Sequence, residues 1–273
     1  LSALAEKFDL GMARFYLGCL LYDKRVYDEA VADYEAAREK CPDFPTVHRN
    51  LTLAYYNVYN EPQKAYSELV KAFTLDESDS RVYMELDQLR RRMDFSIEER
   101  IADMEKHMEL VCDRDDMYLE YVTVLNTVGR NKEALELINK RHFHQWEGGE
   151  GKVAAQYLTS LYMLAKKAFD EEKYEEAKKL LIQATADYPH NLGEGKLESA
   201  QENNLYYLLG AVYDKLGEKD YARECFVKAG DGLSEPVGMM YYNDQPPEMI
   251  YYQGLAFDKL GDKAQADIRF NKL

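Results

Sequence analysis

Proline and glycine are scarce in this chain, with 7 and 15 in 273 residues, and cysteine is scarcer at 4. So few chain breakers over that length favour long helices over many short strands. The four cysteines, Cys19, Cys41, Cys112 and Cys225, lie far apart, with no Cys-x-x-Cys and no Cys/His pairing. That spacing excludes a recognisable zinc cluster and a disulfide framework, and unpaired thiols point to a cytoplasmic setting. Positive charge is in deficit: 35 Lys and Arg face 50 Asp and Glu, a net charge of −15. Phosphate backbones and anionic membrane surfaces repel such a chain, so neither nucleic acid nor membrane is an expected partner. No apolar run approaches the ~20 residues of a bilayer crossing. Catalytic signatures are missing too: there is no Gly-x-Ser-x-Gly, no His-Glu-x-x-His and no Gly-x-x-x-x-Gly-Lys-Ser/Thr. The sequence nominates no catalytic residue, no metal site and no cofactor, and an enzyme is not the expectation.

What the chain has is 46% apolar residues and a repeating pattern. Around Tyr207-Leu208-Leu209-Gly210 an aromatic precedes Leu-Gly, Tyr213 follows at helical spacing, and Ala222, Phe226 and Ala229 come next. The same columns recur at Leu17-Gly18, Leu21, Ala30, Tyr34, Ala37 and Pro42, and at Ile250, Gly254, Phe257, Ala266 and Phe270. Weaker copies run through Leu51, Tyr55, Ala65 and Leu69, through Tyr118, Leu125, Ala134 and Ile138, and through Leu161, Ala177, Leu181 and Pro189. These columns resemble the tetratricopeptide repeat, whose aromatic, Leu-Gly, Tyr, Ala, Phe and Pro positions span two antiparallel helices. The resemblance implies an all-α fold, an α-α superhelix of stacked helix pairs with a concave groove.

The Ala column sets the count. It runs Ala30, Ala65, Ala134, Ala177, Ala222, Ala266, in steps of 35, 69, 43, 45 and 44. Against a period of about 34, the step of 69 hides one degenerate repeat, near Arg81–Met93 and Ser96–Val111. The later steps carry roughly ten extra residues each over that period. These map to loops at His142–Lys152, His190–Gln201 and Asp231–Pro247, which should emerge on one side. Seven repeats result: regular ones over 11–141 and loop-decorated ones over 142–273, in a single domain. The strings from His142 to Lys152, Pro189 to Gly193 and Tyr241 to Pro247 resemble one narrower group. It comprises large bacterial proteins with a β-rich, carbohydrate-related N-terminal part and a helical-repeat C-terminal part. With Leu1-Ser2-Ala3 opening the chain, that resemblance implies the repeat portion of a longer polypeptide.

Tyrosine is the informative excess, 23 residues against one Trp. Tyr34, Tyr55 and Tyr213 fall on packing columns. Tyr56, Tyr162, Tyr207 and Tyr251 fall on the first-helix face that lines a tetratricopeptide groove, where a ring and hydroxyl can grip an extended peptide or a sugar. Arg49, Asn50 and Arg81 share that expected surface, where they could hold a carboxylate. The family's two-carboxylate clamp needs Lys and Asn on the first helix, where this chain has Phe15 and Cys19, so that clamp is not expected. In the first loop, His142, His144, Trp146 and Glu147 form a secondary candidate group, with Trp146 expected to pack on a neighbouring helix. Gly149-Glu150-Gly151-Lys152 and Gly193-Glu194-Gly195-Lys196 both read as helix-entry turns. The expected function is a scaffold binding a protein or peptide in its groove, with the chain's own N-terminal part as one such partner. The alternative is a wall of a carbohydrate-active site whose catalytic residues lie upstream.

Overall fold

A computed structural model describes residues 10–197, 200–235, 237 and 244–273. These residues form fifteen α-helices and one 3-10 turn, with no strand among them. The all-α class holds, and the helices come as consecutive pairs, as an α-α superhelix requires. The pairs are α1 (Gly11–Asp23) with α2 (Tyr27–Lys40), α3 (Pro45–Asn57) with α4 (Pro62–Leu75), and α5 (Ser80–Arg92) with α6 (Ile97–Lys106). After the short α7 (Met108–Asp113) follow α8 (Asp115–Thr127) and α9 (Asn131–Lys140), then α10 (Lys152–Asp170) with α11 (Tyr174–Thr185). The last two pairs are α12 (Asn203–Leu216) with α13 (Lys219–Gly230), and α14 (Pro247–Leu260) with α15 (Lys263–Phe270). The chain divides into two compact units, Leu1–Tyr118 and Leu119–Leu273.

In the first unit, Phe15, Tyr34, Val47, Leu51, Tyr55, Leu69 and Leu86 belong to one buried cluster. Small residues let the helices of a pair approach. Ala30 and Ala65 are fully buried, and a Cβ on Gly18 would come within 2.7 Å of the Tyr34 ring. The degenerate repeat breaks this rule. Its counterpart of Ala30 and Ala65 is Arg100, 95% buried on α6 and paired with Asp87 of α5 through Nε–Oδ1 at 2.9 Å and Nη2–Oδ2 at 2.7 Å. Its second helix also differs from the expected continuous span. It stops at His107, whose ring packs on Phe73 and Tyr83 and whose Nδ1 bonds to the Asp103 carbonyl, and α7 restarts behind it.

In the second unit the small-residue column is regular. Ala134 and Ala177 are fully buried, Ala222 and Ala266 nearly so. Gly210 meets the Phe226 ring and Gly254 the Phe270 ring, as Gly18 meets Tyr34. The three inserts fall between α9 and α10, α11 and α12, and α13 and α14, and the second lies against the first. Asn191 of the second insert donates from Nδ2 to the Ile138 and Arg141 carbonyls, both at 2.9 Å, satisfying the open end of α9. Glu194, three residues on, accepts from the backbone N–H groups of Gly151 (2.8 Å) and Ala154 (2.9 Å) at the start of α10. A carboxylate there meets orphan donors and the positive end of the helix dipole. Only one of the two Gly-Glu-Gly-Lys strings therefore opens a helix. The string at Gly149 leads into α10 through Gly151 in a left-handed conformation, while the string at Gly193 caps that same helix from outside. Across the next gap, Gln201 Oε1 lies beside Gly232 of the third insert.

Candidate functional site: the first-helix faces

In the first unit the candidate residues sit on α3 and α5. Arg49 reaches across to Glu85 with both Nε and Nη2, the former at 2.6 Å, and Arg81 Nε adds a 3.3 Å contact to the same carboxylate. The Glu85 bond, opposed by burial, holds the Arg49 guanidinium above its ordinary pKa. The expected cationic group is thus already occupied by an internal carboxylate, because two arginines converge on one glutamate. Asn50 points inward, its Nδ2 at 3.4 Å from both Cys19 Sγ and Tyr34 Oη. Phe15, at the expected clamp position, is buried in the core cluster. Tyr56 is half-buried and lines a recess of about 160 Å³ between α3 and α5. Leu53, Leu69 and Leu89 supply its apolar lining, and Gln88, Glu85 and Arg92 its polar side. The Arg92 guanidinium lies 5.5 Å from the Tyr56 ring centroid, within cation–π range. The sequence reading missed Arg92, although it stands on the same helix as Arg81 and closes the recess.

In the second unit α10, α12 and α14 present the remaining tyrosines. Tyr162 and Tyr252 share a hydroxyl–hydroxyl hydrogen bond of 3.0 Å. The Tyr207 ring packs at a tilt against Tyr252 and Phe226, with centroids 6.0 and 5.9 Å away, and Tyr251 packs beside Tyr252 and Phe270. Burial first, and the Tyr252 bond second, push the Tyr162 hydroxyl up; burial and the neighbouring Tyr251 do the same for Tyr207. Tyr162 and Tyr207 are therefore drawn together through Tyr252, a residue the column spacing passed over. Tyr251, 46% exposed, is the member turned to solvent.

The loop candidates form a different surface. His142, His144 and Glu147 are exposed on the first insert, and Trp146 is half-buried. Its indole lies on Gly149 of its own loop, where a Cβ would come within 2.3 Å, rather than being buried as a helix anchor. Phe143 anchors the insert instead: it is 95% buried and its N–H donates to the Asn191 carbonyl at 2.9 Å. Among the described residues there is no group of three or more His, Cys, Asp or Glu placed to hold a metal. Nor is any described helix long and apolar enough to cross a membrane.

Comparison with known proteins bears on the fold. Residues 18–58 match a family model described as a TPR repeat. A tetratricopeptide repeat protein from Parabacteroides merdae superposes with a TM-score of 0.50 at 13% identity, over 96% of this chain and 91% of that one. The C-terminal part of a TPR repeat-containing protein from Cytophaga hutchinsonii gives 0.52 at 15% identity, over 94% and 93%. The chain has the fold of tetratricopeptide-repeat proteins, and its residues 18–58 match the repeat itself.

Proposed function

We propose that this chain is a scaffold that holds a partner polypeptide along its first-helix faces. Helical repeats of this kind commonly serve protein–protein interaction. The observation that carries the proposal is the Tyr56 recess, in which three leucines meet an aromatic ring, an amide, a carboxylate and a guanidinium. Binding energy in protein interfaces concentrates in such aromatic and Arg anchors. Arg49 and Arg81, tied to Glu85, serve as framework under that rim rather than as hooks for a partner's carboxylate.

The test is affinity capture from a bacterial extract, followed by titration of the captured polypeptide. Tyr56→Ala should weaken binding about 30-fold, corresponding to about 2 kcal/mol for a true anchor. Glu175→Gln, on the exposed face of α11, should leave it unchanged. A carbohydrate partner is the second reading, supported by the exposed Tyr251 ring, which suits stacking on a sugar. A glycan-array signal lost in Tyr251→Ala, with no polypeptide captured, would replace the first reading by the second.

A further inference from the structure

A separate cavity of about 220 Å³ opens where α10 begins, among the inserts of the second unit. Ala154, Ala155 and Leu158 of α10 form one side, and Tyr188, Leu197 and Pro246 bring apolar surface from the loops. Among the described residues its charged lining consists of two carboxylates, Glu194 and Asp244, with no lysine or arginine. The nearby Lys196 is held elsewhere, its Nζ at 2.7 Å from both Glu202 and the Thr185 carbonyl. Burial, with Glu202 and Glu194 close by, raises the Tyr188 hydroxyl to about 12. Glu194 accepts one backbone hydrogen bond per oxygen from the start of α10, and a carboxylate has about four acceptor sites, so acceptor capacity is left. Small-molecule sites run roughly 300–1,000 Å³, so this cavity is sized for one side chain rather than for a cofactor.

We propose that this cavity receives a lysine or arginine side chain of the partner polypeptide. The aliphatic stem lies against Leu158, Tyr188 and Leu197, and the cationic head meets Glu194 and Asp244. The proposal rests on the scaffold reading above and adds a second anchor point to it, away from the first-helix faces.

The probe is n-pentylguanidinium, titrated against the full chain while amide NMR signals of Gly151, Ala154 and Ala155 are followed, with n-pentanol as the neutral control. Saturable shifts are expected for the cation and none for the alcohol. Asp244→Asn should weaken the cation about tenfold, as loss of one charge-assisted contact does. Ala155→Trp, which fills the mouth from an exposed helix position, should abolish the shifts while the remaining spectrum stays folded. Equal shifts with pentanol, or none with the cation, would overturn the proposal. Captured polypeptide lost in Ala155→Trp but retained in Tyr56→Ala would favour the cavity over the first-helix face. Capture untouched by Ala155→Trp, with no pentylguanidinium binding, would remove the cavity and leave the scaffold reading standing.

Discussion

Each turn that joins the two helices of a pair contains one residue with positive φ: Arg25, Asn60, Asp94, Gly129, Glu172, Gly217 and Gly261. Glycine takes that conformation freely, while an ordinary L-residue pays roughly 1–2 kcal/mol for it. Arg25 and Glu172 thus store local strain, which the packed helices on either side overcome, while Asn60 and Asp94 are of types that visit this conformation more readily. Glu172→Gly should stabilise the protein by up to about 1 kcal/mol, after subtracting the 0.5–1 kcal/mol of extra chain entropy that glycine brings. Gly217→Ala should destabilise by about 1 kcal/mol for the mirror reason. Urea unfolding of both variants checks this; shifts of the same sign would show that the turn conformation is not what the substitutions report. The glycine turns were readable from sequence, because glycine after an apolar helical run is a stop signal. Arg25 and Glu172 were not, since neither carries a turn signature, whereas Asn60 and Asp94 are of turn-forming types. Tyr252 was missed for a related reason. Tyr162, Tyr207 and Tyr251 lie 45 and 44 residues apart, like Ala177, Ala222 and Ala266, and Tyr252 stands one residue off that column. It shares its place in the repeat with Leu51 and Leu208, both buried, so it is a packing residue whose hydroxyl reaches Tyr162.

At the scale of elements, the degenerate repeat shows what spacing reveals and what it conceals. The double step in the Ala column disclosed a hidden helix pair, and α5 and α6 occupy it. Nothing local announced that Arg100 replaces the small residue, or that Asp87, at the position of Leu17 and Leu209, answers it. Both side chains are at least 95% buried, so removing Arg100 takes from the buried Asp87 carboxylate the guanidinium that pairs with it. Arg100→Ala should cost about 3–5 kcal/mol. The double variant Asp87→Leu with Arg100→Ala restores the apolar pattern of the other repeats and should recover most of that loss, since apolar replacements of buried ion pairs are often neutral or stabilising. Thermal unfolding of single and double variants decides it, and a double variant no better than the single would mean the pair supports more than itself. The inserts obey the same logic. Their positions followed from counting, but Asn191 and Glu194 act on helix ends 40 to 53 residues away, a partnership no local pattern encodes.

At the scale of the molecule, repetition explains why the fold was readable and the site only in part. A helix pair whose apolar faces need neighbours prints its packing into every copy, so fifteen helices follow from a few columns. A binding surface prints nothing of the kind. Tyr56 and Tyr251 were placed on the first-helix face by register alone, while the neutralisation of Arg49 by Glu85 depended on a contact 36 residues away. The central claim is that a polypeptide partner lies on first helices. Its most direct test is amide hydrogen exchange of the chain with and without the captured polypeptide. The account predicts added protection in α3 and α5, around Tyr56 and Gln88, with α4, α11 and α13 unchanged. Protection confined to those second helices would contradict it.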